Sequence, residues 1–356
     1  MYYYHLKNNP ERRRISTKLL ELKEALAEQV PGKRAGCTLI ATWNIREFDS
    51  DAYGARSDEA LYYIAEILSH FDLIAVQEVR EDLRALKRVL SIMGRSNWDF
   101  IASDVTEGTP GNRERLAFVY DKRSVSFSSL AGEIVIPPVE VKEGNKTVRY
   151  DPSDQLYRTP YLCGFQVGWT QLMLCTVHMI YGDSVADDPR RVREISLISE
   201  FLAKRSRERR DYSNLVLLGD FNIFSPGDVT MQAITSAGFI VPESLQSLPP
   251  TNTGKDARFY DQIAFRPKPG YFAATGKAGV FNFFDVVYRL DEEQVYIPDM
   301  GSAYETTSSG KPRKKKTLYY KTFWRTHQMS DHLPMWVQLR TDFSREYLKI
   351  LSESEE

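Results

Sequence analysis

Residues 215–222 read Leu-Val-Leu-Leu-Gly-Asp-Phe-Asn. Four consecutive apolar residues are too short for a buried helix and suit a strand covered on both faces. The Gly-Asp-Phe-Asn that follows sets a carboxylate and an amide where rigid strand gives way to loop. The same construction recurs three times. Asn44 follows Leu39-Ile40-Ala41-Thr42-Trp43, Gln77-Glu78 follow the apolar run 73–76, and Ser330-Asp331-His332 precede Leu333-Pro334. Singly, each signature reads as a turn or a cap. Together, four polar strand ends can converge on one cleft.

Working outward, strands and helices alternate. Further strands are expected at 98–102, 116–120, 161–167, 171–177, 260–265 and 334–339. Ser57 is a plausible N-cap, with Asp58 and Glu59 where a helix dipole favours anions. Leu61, Ile64, Ala65 and Leu68 then recur with helical spacing, as do Leu83, Leu86, Leu90 and Met93, and Val192, Ile195, Ser199 and Leu202. This pattern predicts an α/β fold in which two mixed sheets pack face to face with helices outside.

Residues 1–36 read as a helical extension, with Ile15, Leu19, Leu22 and Leu26 forming a stripe for the body or for a protein partner. Residues 37–345 form the main domain, and 346–356 an acidic tail. Within the domain, 291–325 reads as an irregular basic insertion. From 304 to 325 seven basic residues, including the run 311–316, face one acid, a net of +6, with Tyr319, Tyr320, Phe323 and Trp324 among them. Such a run is either a solvated loop or a contact for nucleic acid. The chain has 356 residues and a net charge of −1, which argues against a uniformly basic coat for nucleic acid but leaves room for a local patch. No apolar run reaches the roughly 18 residues of a membrane span. Three cysteines without a CxxC pair, and a first ten residues without an apolar leader, point to a reducing cytoplasm.

Glu78, Asp331 and Asp220, with Asn44 and Asn222, form a set of hard oxygen donors suited to Mg²⁺ or Mn²⁺. Zinc fits less well, because no Cys/His cluster accompanies them. Of five histidines, two sit at strand ends: His178, after the apolar run 172–177, and His332. Either could move a proton near neutral pH. Each needs an orienting carboxylate, for which Glu114 and Asp261 are available.

The ordered set TWNIREF, DLIAVQEVRED, NRERLAFVYD, RTPYL, TVHM, LLGDFN, YDQI and SDHLP, spread over about 37–340, resembles the endonuclease/exonuclease/phosphatase superfamily. Asn-Ile-Arg at 44–46 and Gln-Glu-Val-Arg at 77–80 resemble its deoxyribonuclease I branch. The resemblance implies a four-layer α/β sandwich with the site at one edge of the two central sheets. It implies a metal held by Asn44, Glu78 and Asp331, with Ca²⁺ as a further ion. Asp220 and Asn222 would position the attacking water and the phosphate. His332 with Asp261 would be the general base, and His178 with Glu114 would contact the phosphate and assist the leaving group. Arg158 would grip the scissile phosphate, Arg80 would reach into a DNA groove, and Arg115 is a further candidate for substrate binding.

That implies a metal-dependent DNA endonuclease leaving 5′-phosphate and 3′-hydroxyl ends. Relatives of the same superfamily acting on phosphoinositide, sphingomyelin or RNA share the chemistry, and a silent binding protein could share the fold. Asn112 stands where the branch has a groove-stacking tyrosine. The first 36 residues and the run 311–316 have no counterpart in it.

Overall fold

Strand β1 (Cys37–Phe48) shows how the layers arise. Leu39, Ala41, Trp43 and Ile45 enter one apolar core, and Ile40, between them, enters another. A strand buried on both faces must lie inside a layered molecule. The computed structural model describes residues 1–48, 50, 55–108, 112–209, 214–256, 258–268 and 272–353. Helix α1 (Arg12–Gln29) precedes β1. After it come α2 (Asp58–Ser69), β2 (Leu73–Arg80), α3 (Arg84–Met93), β3 (Trp98–Ala102), β4 (Glu114–Asp121), β5 (Ser126–Glu133), β6 (Val139–Glu143) and β7 (Lys146–Asp151). The chain continues through β8 (Tyr161–Val167), β9 (Thr170–His178), α4 (Pro189–Glu208), β10 (Leu215–Asp220), α5 (Val229–Ser236), α6 (Glu243–Gln246), β11 (Asp261–Arg266) and β12 (Ala273–Val280). It ends with α7 (Glu293–Met300), α8 (Ser302–Glu305), α9 (Lys316–Tyr319), α10 (Arg325–Gln328), β13 (Met335–Arg340) and α11 (Ser344–Glu353).

One sheet has the order β12-β13-β1-β2-β4-β3 and the other β11-β10-β9-β8-β5, while β6 and β7 pair separately. Both are mixed: β1–β2 and β9–β10 are parallel, and their outer neighbours are antiparallel. One core joins the outer face of the six-stranded sheet to α1, α2 and α3. The second fills the space between the sheets and the region beneath α4 and α5. The result is the expected α/β fold, a four-layer sandwich.

The helices begin where their caps say. Ser57 Oγ accepts from Ala60 N, and Asp188 Oδ1 accepts from Arg190 N one residue ahead of Pro189. The stripe Ile15, Leu19, Leu22 and Leu26 is fully buried in the first core. Arg14–Glu59 and Lys23–Glu66 ion pairs, both at 2.7 Å, fasten α1 to α2. The face that could have met a partner therefore already lies against the body.

One expectation changes. The basic insertion is helical rather than irregular: α7 to α10 and a π-helical turn, Tyr320–Trp324, run through it. Tyr296, Tyr304 and Tyr320 are its buried anchors, which a polar run in the sequence conceals. The tail is helical as far as Glu353, and 354–356 lie outside the described residues. Among the described residues no helix is long and apolar enough to cross a membrane.

Candidate active site

Parallel pairing of β1 with β2, and of β9 with β10, brings four strand ends to one rim. Asn44 is the register partner of Gln77, and Asp220 that of both His178 and Asp261. Two backbone features aim the side chains. The β2–β4 register shifts between Val76 and Val79, a bulge, and Glu78 sits inside it at φ 60°. A non-glycine residue there is held against its preference, a cost that clusters at functional sites. Gly219 has φ +137°, and a Cβ on it would stand 2.1 Å from the Val177 carbonyl oxygen, so only glycine lets β10 approach β9 this closely.

The side chains form one network centred on Asp220 Oδ2. Asn44 Nδ2 donates to it at 3.0 Å, and to Glu78 Oε1 at 3.0 Å. His178 Nε2 lies 3.5 Å from it and His332 Nε2 3.7 Å. Those separations are too long for strong hydrogen bonds and leave both Nε2 atoms for a ligand. Each imidazole is fixed from behind: Nδ1 of His178 meets Glu114 Oε1 at 2.6 Å, and Nδ1 of His332 meets Asp261 Oδ2 at 2.8 Å. Asp220 Oδ1 accepts from Asn222 N, and Asn222 Nδ2 donates to the Met179 carbonyl. Arg158 Nε stands 2.9 Å from Glu114 Oε1, a charge contact whose N–H does not point along the line.

Electrostatics separate the two histidines. Burial works against a charge on His332, yet Asp261, Asp220 and Asp331 outweigh it and raise its pKa well above the usual value. His178 is lowered to about 4, by burial and then by Arg158, although Asp220 and Glu78 pull the other way. Burial also pushes Glu114 up to about 7 against Arg158. With the proton between them on Glu114, Nδ1 of His178 is the acceptor and the ring carries its own proton on Nε2, facing Asp220.

Of the residues expected at a metal, Asn44 and Glu78 are in contact, but Asp331 is not. The Asp331 carboxylate is half exposed, with Arg46 Nε 3.9 Å away. Among the described residues no three Asp, Glu, His or Cys side chains gather into a metal-holding group. The oxygen Asn44 Oδ1, however, is buried and has no hydrogen-bond partner, while Nδ2 of the same amide meets the Glu78 carboxylate. One carboxylate with an orphaned amide oxygen fits an ion of the magnesium kind, which keeps waters and takes substrate oxygens, and does not fit zinc.

The arginines divide. Arg158 is in the network, and Arg80 stands at its border, donating to the Asn112 carbonyl with Glu47 3.6 Å away. Arg115 is excluded. Alternation along β4 sends Glu114 and Leu116 inward and turns Arg115 to the other face, where Ser103 O and Asp104 hold it.

Three supporting residues had no role assigned to them in the sequence reading. Gln77 spans the sheets from Thr42 to Thr176. Ser330 Oγ donates to the Asn44 carbonyl and accepts from His332 N, a spacing typical of a serine turn. The Tyr260 ring lies 5.5 Å from the His332 ring.

Comparison with known proteins agrees with this architecture. Residues 41–240 match the Endonuclease/Exonuclease/phosphatase family. A deoxyribonuclease of Thioalkalivibrio sp. (strain K90mix) is 27% identical over 251 residues, 68% of this chain and 62% of that relative, and so less than two thirds of its length. An endonuclease/exonuclease/phosphatase from Bacteroides vulgatus superposes with a TM-score of 0.52 at 14% identity, over 86% of this chain and 99% of that one. A humanized form of D. rerio TDP2 carrying 14 mutations gives 0.52 at 14% identity, over 86% and 100%. At such identities these two structures show a common fold.

Proposed function

The chain belongs to the Endonuclease/Exonuclease/phosphatase family, and from that premise we propose that it is a divalent-metal-dependent phosphodiesterase cutting DNA internally to 5′-phosphate and 3′-hydroxyl ends. The observation that carries this reading is the pair of histidine–carboxylate dyads meeting at Asp220 Oδ2. The deoxyribonuclease name of the Thioalkalivibrio relative favours DNA. A cytoplasmic setting belongs to the same reading, with Cys37, Cys163 and Cys175 all free thiols.

Attack of water on a diester brings an electron-rich oxygen to an anionic phosphorus, and the P–O3′ bond breaks as the new P–O bond forms. His332 Nε2 takes the proton of that water. Asp261 behind it fixes the ring and stabilises the imidazolium that forms. Asp220 and Asn222 hold the water and the phosphate in line. His178 Nε2–H hydrogen-bonds to the phosphate on the leaving side, and the departing O3′ takes up a proton from solvent to become the 3′-hydroxyl. Because its pKa is low, it acts as a neutral donor, and Arg158 supplies the positive charge there. Enzymes of this family are generally divalent-metal dependent. Asn44 Oδ1 and Glu78 would hold the ion, with Asp331 nearby, and when bound it would neutralise charge on the phosphate oxygens.

The test offers supercoiled plasmid, single-stranded DNA, RNA and inositol phosphates in parallel with Mg²⁺, Mn²⁺ or Ca²⁺, with Asp220→Ala as the blank. We expect nicking of plasmid with ligatable ends, lost in excess EDTA. A preference for a single inositol phosphate, or turnover that survives EDTA, would overturn the reading.

A further inference from the structure

The basic insertion has no part in that chemistry, yet it is joined to the rim where the chemistry occurs. Arg46 Nη1 donates to the Thr322 carbonyl at 3.3 Å and to the Thr326 hydroxyl at 2.6 Å, while its Nε stands 3.9 Å from the Asp331 carboxylate. Arg56 Nε donates to the Gln328 carbonyl, and Ser57 N to the Gln328 side chain. The π-helical turn Tyr320–Trp324 therefore borders the mouth of the site, and such turns are frequent at functional places.

Away from the rim, this segment carries a row of planar groups. The rings of Tyr319 and Phe323 stack with centroids 6.3 Å apart and planes 19° apart, and the Arg313 guanidinium lies 3.9 Å over Tyr319. Arg313 is itself fixed by the Ala303 and Thr306 carbonyls. An open cleft of about 620 Å³ runs along this row, lined also by Lys311, Lys314 and Lys315. All three lysines are exposed, and among the described residues none has a carboxylate partner. Glu305, the acid of this stretch, is taken by Lys316. Phe323 is 44% exposed.

Cations alone would suit any polyanion. An exposed ring at the end of a stacked row asks for a partner with a free planar face, which a base within a duplex does not offer. We propose that this cleft seats unpaired nucleotides of a nucleic-acid strand running out of the catalytic site, with bases against Phe323 and Tyr319 and phosphates on Lys311, Lys314 and Lys315. It rests on the phosphodiesterase reading for where the strand comes from, but the binding itself needs no turnover.

The experiment uses the full chain with Asp220→Asn, so that strands stay uncut, and measures fluorescence anisotropy on an oligothymidine of about 16 nucleotides and on a blunt duplex of equal length. The single strand should bind more tightly than the duplex. The triple variant Lys311→Glu, Lys314→Glu, Lys315→Glu should weaken single-strand binding about tenfold or more and reduce the log–log salt slope by about 2. Phe323→Ala should weaken the single strand about tenfold and leave the duplex unaffected. In the otherwise unaltered chain, both variants should hydrolyse a small chromogenic phosphodiester at the parental rate. Parental binding by either variant, a preference for duplex, or equal competition by polyglutamate would each overturn the proposal. A chain that binds as expected but hydrolyses nothing would overturn the catalytic reading alone.

Discussion

At the residue scale, the site depends on Asp220, whose single oxygen Oδ2 meets groups from three other strand ends. If each imidazole works as its geometry suggests, His332→Ala and His178→Ala each lose about 10²–10⁴ in kcat. The check is single-turnover cleavage beside circular dichroism, and near-parental turnover by a folded variant would remove that histidine from the chemistry. Most of these residues were legible in the sequence because an apolar run stops at each of them. Arg115 misled because adjacent residues on a strand face opposite ways, and the Arg-Glu-Arg run in 113–115 does not say which one points inward. Gln77 lay inside a recognised signature, yet its bond across to Thr176 depends on a strand 99 positions away, which no local pattern carries.

At the scale of elements, helices with a clean apolar stripe were legible and exposed strands were not. Helices α2, α3 and α4 fall where apolar spacing put them, and α2 begins at its expected Ser57 cap. Strands β5, β6 and β7 went unseen because they expose most residues, and β12 because it is half-buried throughout without a clear alternation. Helix α1 packs on the body, one of the two places its stripe allowed, as part of the first core. Leu22 is fully buried there, so Leu22→Ala should cost about 2–5 kcal/mol by leaving a cavity. Thermal melting measures this, and a loss below about 0.5 kcal/mol would mean that α1 is not held against the body.

At the scale of the whole molecule, the order of motifs along the chain disclosed the sandwich, since eight short signatures in sequence constrain a topology far more than any one of them. What it left hidden is how the end opposite the site is closed. There Asp121 accepts from Lys33 at 3.0 Å and from Arg123 at 2.6 Å, while Asp72 accepts from Leu39 N. Burial pushes the Asp121 carboxyl up, but Arg123 and Lys33 overcome that and hold it at about 2, below its usual 3.8. A depressed carboxyl contributes stability that is complete above pH 3.8 and fades as pH falls toward 2. Arg123→Ala should lower stability at neutral pH and flatten that acid limb. Denaturant melts at a series of pH values measure it, and parallel curves for the two proteins would refute the assignment.

The position of Asp220 has one more consequence. It belongs to the five-stranded sheet, whereas the Asn44 amide that reaches it comes from the six-stranded one. The reacting groups thus straddle the seam of the sandwich, and turnover becomes a caliper for the spacing of its two halves. On the proposed chemistry, a solvent, pressure or distant core substitution that parts the halves slightly should stop turnover while both halves remain folded.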